Sequence, residues 1–131
     1  MAWVRCCGGT AKYNPKDIIK DGILNTRYSL TGNIIQAGTR VEIVRDGNGN
    51  GGSINGVDLT NINTLTLDYQ NNNGSTPMEY KIGNGSWTLL ASDSSRHTLN
   101  INVSSYTGVT PIYFNIYSNN GWSAIYNLIG A

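Results

Sequence analysis

Apolar and polar residues alternate along much of this chain with a period of two. Residues 65–69 read LTLDY and place Leu65, Leu67 and Tyr69 on one face. Residues 98–103 read TLNINV and turn Leu99, Ile101 and Val103 inward. Residues 111–117 read PIYFNIY, with Ile112, Phe114 and Ile116 on one face and Tyr113 and Tyr117 on the other. Within 39–45, Val41 and Ile43 face one way and Arg40, Glu42 and Val44 the other. Such alternation is the mark of a strand with one buried face. Further strands are expected at 2–7, 27–30, 33–36, 78–82, 87–91 and 124–129. Helical periodicity with caps is not sustained anywhere. The best helical candidate, 15–24, is interrupted by Gly22 and reads as a strand-like segment or one short turn.

Asn- and Gly-rich stretches separate these runs. DGNGNGG at 46–52 reads as a flexible loop, NNNG at 71–74 and Asn84-Gly85 as hairpin turns, and SNNG at 118–121 as another turn. Many short strands at close spacing point to an all-β fold, a β-sandwich or barrel, and the shared apolar rows favour an antiparallel β-sandwich. Leu67, Leu99, Ile101, Ile112, Phe114 and Ile116 are its predicted core.

Composition sharpens this picture. The chain has 131 residues, 13% of them charged, about half the usual globular share. The whole length, 1–131, reads as one sandwich domain, with strand 2–7 either part of it or appended. The net charge of +1 offers no basic patch, so nucleic acid is not an expected partner. No apolar run reaches membrane-spanning length, so no membrane insertion is expected. The start, MAWVRCCGG, lacks the apolar core of a signal peptide. A product made in the cytoplasm is the expectation. Cys6 and Cys7 are adjacent. Bridged Cα atoms normally sit well apart, so the pair reads as reduced residues of a strand. Low charge and apolar strands at both chain ends predict a homo-oligomer, with a trimer as one form.

Candidate chemistry is sparse. His97 has no nucleophile context, and nothing resembles a serine-hydrolase or phosphate-loop motif. Asp68 and Glu79 could form a carboxylate pair, but both fall where outward, solvated acids are expected. No catalytic residue is predicted. Asp46-x-Asn48-x-Asn50-Gly51 resembles the start of a calcium loop, yet Val57 stands where a bidentate acid is needed. A plain loop is the better reading, and neither a cofactor nor a metal ligand is assigned. The short runs 58–61 and 104–106 have local work to do, bonding nearby backbone in turns. The feature most relevant to binding is aromatic. Trp87 follows the Asn84-Gly85 turn, and Trp122 follows Asn119 and Asn120. Indole faces stack on the C–H faces of sugars, and amides bond hydroxyls. Trp87, Trp122, Asn119 and Asn120 are therefore the candidate ligand-binding residues, expected to form one surface from their loops.

Four segments occur in an ordered series: VDLTNINTLTLDY at 57–69, EYKIGNGSWTLL at 79–90, LNINVSSYTGVTPIYFNIYS at 99–118 and SAIYNLIG at 123–130. This order resembles the galactose-binding-like jelly roll of many carbohydrate-binding modules. In that family a D-L-T-N-x-x-x-L turn leads into a core strand, and a D-V-S-S-Y-x-G turn precedes the strand before the last. Asn102 replaces the usual Asp here. The resemblance runs from about residue 33 to the C-terminus and implies a jelly roll. A structural calcium found in such modules is implied without a location. MAWVRCCGG and the compact format also resemble small structural proteins of tailed phages and prophages of Gram-positive hosts. The function so implied is a non-enzymatic virion protein of the tail or baseplate. Its partners would be itself, other virion proteins and a host cell-surface glycan. The alternatives are a carbohydrate-binding module of a secreted enzyme, or an assembly subunit with no small ligand.

Overall fold

A computed structural model describes residues 14–44, 51–71, 78–91, 93–116 and 122–131. The described residues form strands β1 (Asp17–Lys20), β2 (Ile23–Leu24), β3 (Ser29–Gly32), β4 (Ile34–Ala37), β5 (Arg40–Val44) and β6 (Gly52–Asn55). These are followed by β7 (Thr64–Asn71), β8 (Met78–Ile82), β9 (Thr88–Leu89), β10 (Arg96–Asn102), β11 (Ile112–Ile116) and β12 (Trp122–Gly130). No helix occurs among them. The expected strand at 2–7, the cysteines and the loop at 46–50 lie outside the described residues.

The strands make two antiparallel sheets. One is five-stranded, in the order β9-β8-β11-β6-β3. The other is seven-stranded: β10-β7-β12-β1-β2, with β5 also on β12 and β4 on β5. β12 is central. It pairs with β7 on one side, and on the other with β5 along Trp122 to Ile125 and with β1 at Leu128 and Ile129. The C-terminal strand is therefore not a free edge. The expectation of self-pairing through that edge loses its basis, because both rows of backbone groups are already bonded.

The alternating rows meet between the sheets. Ile112, Phe114 and Ile116 of β11 pack toward Leu65 and Leu67 of β7, Val41 and Ile43 of β5, and Ile125 and Leu128 of β12, all buried. Five of the six predicted core residues are buried there. Leu99 is the exception and is only half-buried. It pairs with Leu67 from β10, the outermost described strand of its sheet, where no further described strand lies beside it.

Two local features depart from the sequence reading. Residues 15–24 form a hairpin, β1-β2, turning on Asp21 (φ 51°) and Gly22 (φ 81°). Two consecutive positive φ values are what a two-residue hairpin turn needs. A Cβ at Gly22 would lie 1.7 Å from the Thr39 carbonyl oxygen, so glycine is required there. The Gly-rich run read as a loop continues into β6. At Gly51 (φ 66°) a Cβ would lie 2.1 Å from the Phe114 carbonyl oxygen. The glycine lets the chain press against β11 as β6 begins.

The two turns singled out in the sequence lock together. Asp58 accepts a bond from the Thr60 amide at 3.0 Å, which holds its carboxyl below the ordinary range. Thr60 Oγ1 accepts from the Gly108 amide at 2.8 Å, and the Leu59 amide donates to the Gly108 carbonyl at 3.0 Å. Asn102 Oδ1 accepts from the amide and hydroxyl of Ser104 at 3.0 and 2.7 Å. Asn102 thus does the turn-fixing work of the Asp it replaces.

Candidate functional site

The outer face of the five-stranded sheet follows from the register. Ile112, Phe114 and Ile116 point to the core, so Tyr113 and Asn115 point out. Tyr113 pairs with Lys81 and with Ser53, and Ser53 pairs with Thr31. One row across four strands therefore reads Thr31, Ser53, Tyr113, Lys81. Trp87, just before β9, completes it. Its indole is 41% exposed and meets the Tyr113 ring edge-on, with centroids 6.4 Å apart and planes at 62°. Lys81 Nζ sits 5.0 Å from the Trp87 ring centre and 4.7 Å from that of Tyr113. The ammonium links the two rings as a cation–π bridge.

The neighbouring row is polar and less accessible. Asn115 pairs with Glu79, and Glu79 with Leu89, which is 63% exposed. Glu79 is 3% and Asn115 7% exposed. Asn115 Nδ2 donates to Glu79 Oε2 at 3.1 Å. Among the described residues Asn115 Oδ1 has no partner. A buried acceptor without a donor costs free energy. Glu79 points outward, as its strand pattern implied, but it is not the solvated acid expected there. Farther along, Asn55 Nδ2 donates to Thr31 Oγ1 at 2.7 Å, and Ser53 Oγ donates to Asn55 Oδ1 at 3.0 Å. Past the end of β8 a cleft of about 550 Å³ opens between Asn84, Tyr106, Val109 and Pro111. The face thus combines two aromatic rings, one ammonium and several amide and hydroxyl groups.

The structure does not bring Trp122 to this face. Trp122 begins β12 and lies on the outer face of the seven-stranded sheet. The Arg40 guanidinium covers its ring at 3.7 Å and is itself tied to Glu42 at 2.7 Å. Asn119 and Asn120 lie outside the described residues. The single surface expected from Trp87 and Trp122 is two surfaces, because the register sends the two indoles to opposite sides of the sandwich. Tyr113, Lys81, Glu79 and Asn115 were not among the expected site residues. The alternation at 111–117 already set Tyr113 opposite Phe114, and that was the available signal.

The carboxylates separate in the same way. Asp68 lies on the seven-stranded face, bonded by Arg96 Nε and Nη2 at 2.8 and 2.7 Å and by Asn127 Nδ2 at 2.9 Å. Arg96 chiefly holds the Asp68 carboxyl below its ordinary range. Glu79 is on the other sheet, so the two cannot act as a pair across one bond. His97 Nε2 meets Asp93 Oδ1 at 2.6 Å and its ring stacks on Tyr69 at 5.6 Å. Among the described residues no three His, Cys, Asp or Glu side chains gather as metal ligands.

No family model matches the chain, and no curated protein matches it in sequence. Solved structures do match in shape. A mutant of a family 29 carbohydrate-binding module superposes with a TM-score of 0.64 at 14% identity, over 88% of this chain and 89% of that one. A family 61 carbohydrate-binding module in complex with beta-1,4-galactotriose gives 0.55 at 12% identity, over 88% and 97%. A family two carbohydrate esterase from Cellvibrio japonicus gives 0.54 at 18% identity, over 80% of this chain but 31% of that one. This chain therefore spans less than a third of the esterase. The fold is an all-β sandwich, a jelly roll similar to that of these carbohydrate-binding modules.

Proposed function

We propose that the chain is a carbohydrate-binding module that holds a neutral glycan on the outer face of the five-stranded sheet. The observation that carries this is the exposed Trp87 against the half-buried Tyr113, beside Lys81 on a polar sheet face. Sugar rings would stack on Trp87 and Tyr113 through their C–H faces. Thr31, Asn55 and Lys81, whose side chains reach the surface of this face, would bond ligand hydroxyls. Chemistry of this kind binds and orients without breaking bonds, so the proposed role is not enzymatic. The face is shallow, and desolvation takes back much of its contact energy. A Kd between about 10 μM and 1 mM is expected.

A setting within a larger carbohydrate-active protein is supported by the match to part of an esterase chain. The tail or baseplate setting gains no such support. The test is a glycan array followed by calorimetric titration of the best ligand into wild type and Tyr113→Ala. Tyr113→Ala should weaken binding at least tenfold while the melting temperature hardly moves. An array with no neutral-glycan ligand at millimolar concentration would end this reading.

A further inference from the structure

A second cleft, of about 610 Å³, opens at the end of the sandwich beside edge strand β3. That volume is in the range of small-molecule sites. One wall is the 25–28 turn with Lys16, and the other is the 56–62 loop. β3 stands four inter-strand steps from β9, so this cleft lies roughly 20 Å from Trp87.

Tyr28, which is buried, lies in its lining. The Tyr28 hydroxyl donates to the Pro15 carbonyl, which fixes the ring. Gly56 (φ 95°) passes over it, and a Cβ there would lie 3.6 Å from Tyr28 Cδ1. Glycine keeps that edge of the ring open. Arg27 and Asp58 line the cleft from its two walls, and both are exposed. Burial chiefly raises the Tyr28 pKa, Arg27 lowers it through its charge and a side-chain hydrogen bond, and the Asp58 charge raises it. Among the described residues no ion pair joins Arg27 to Asp58, and Lys16 adds a second cation to the lining. Asp58 Oδ1 already accepts the Thr60 amide. The Thr60 hydroxyl oxygen accepts from Gly108, and the Thr60 side chain also helps to hold the Asp58 carboxyl below its ordinary range.

We propose that this cleft binds a uronic acid residue, with the sugar carboxylate on Arg27 and ring hydroxyls on Asp58 and Thr60. A planar guanidinium matches a carboxylate in two parallel bonds. Asp58 excludes a more highly charged anion such as phosphate by repulsion, yet accepts hydroxyl protons readily. Two cations against one anion favour an acidic sugar over a neutral one. The tyrosine edge supplies the apolar contact. This site is independent of the glycan face around Trp87.

The experiment is an NMR titration of the whole chain with galacturonate, and separately with galactose as the uncharged control. Wild type should show saturable shifts with galacturonate at Arg27, Tyr28 and Thr60, and none there with galactose. Arg27→Ala should weaken galacturonate at least tenfold. Asp58→Asn, which keeps the acceptor for Thr60, should weaken it severalfold without a change in melting temperature. Trp87→Ala should leave it unchanged. Equal binding of galactose, unaltered binding in Arg27→Ala, loss of galacturonate in Trp87→Ala, or no saturable shifts at millimolar galacturonate would each overturn the proposal.

Discussion

The two outer faces of the sandwich carry similar residue types and differ in how those residues are used. On the seven-stranded face the charges and rings satisfy one another. Arg96 grips Asp68 with two bonds and lies over Tyr126 at 3.9 Å, and the Tyr126 hydroxyl donates to Gln70 at 3.0 Å. Arg40 grips Glu42 and covers Trp122. On the five-stranded face Lys81 is in no ion pair with a described residue, Trp87 is exposed, and Asn115 Oδ1 has no described partner. A face whose groups are already paired has little left to offer a ligand. A face whose ammonium is in no ion pair with a described residue and whose indole is exposed has capacity in reserve.

Four perturbations sharpen this contrast, beginning with the core that both faces share. Phe114→Ala should cost about 3–5 kcal/mol, as expected for truncating a buried aromatic, and should lower the stability of both faces together in chemical denaturation. Next in size is Asn115→Leu, which removes the unpartnered acceptor and the donor to Glu79. It should lower stability by about 1–3 kcal/mol in chemical denaturation, because the buried Glu79 carboxylate loses its Asn115 donor. Arg96→Ala should cost about 1 kcal/mol of stability, since a bidentate pair sits at the upper end for exposed ion pairs, and should leave glycan affinity unchanged. The smallest effect is a pH dependence. Folding depresses the Asp68 pKa, so its contribution is present above the unfolded value, about 3.9. It is lost as pH falls through the folded value. Melting curves from pH 6 down to pH 2 should show an acid-side loss in wild type that is smaller in Asp68→Asn.

The sandwich was legible where one face of a strand is buried and the other wet. Leu67, Ile112, Phe114 and Ile116 announce themselves by alternation. Leu99 has the same pattern, but its burial depends on whether a strand lies beyond β10, which a local pattern does not carry. β6 was hidden because Gly51 and Gly52 look like loop residues, and their role appears only when β11 is pressed against them. The Asp21-Gly22 turn was present in the sequence as a hairpin dipeptide, and the short apolar runs around it obscured it. The site was half legible. Trp87 and the outward turn of Tyr113 could be read from the chain. The separation of Trp87 from Trp122 could not, because it follows from the pairing of Trp122 with Val44 and of Tyr113 with Lys81. Such registers join residues far apart in sequence. Glu79 looked like a surface acid because its burial likewise comes from tertiary packing.

The most direct test sets the two indoles against each other. The best array ligand is titrated into wild type, Trp87→Ala and Trp122→Ala, with melting temperatures measured in parallel. The expected result is a loss of at least tenfold in affinity for Trp87→Ala at nearly unchanged stability, together with unchanged affinity for Trp122→Ala. Binding that survives Trp87→Ala and disappears in Trp122→Ala would contradict the assignment and move the site to the seven-stranded face.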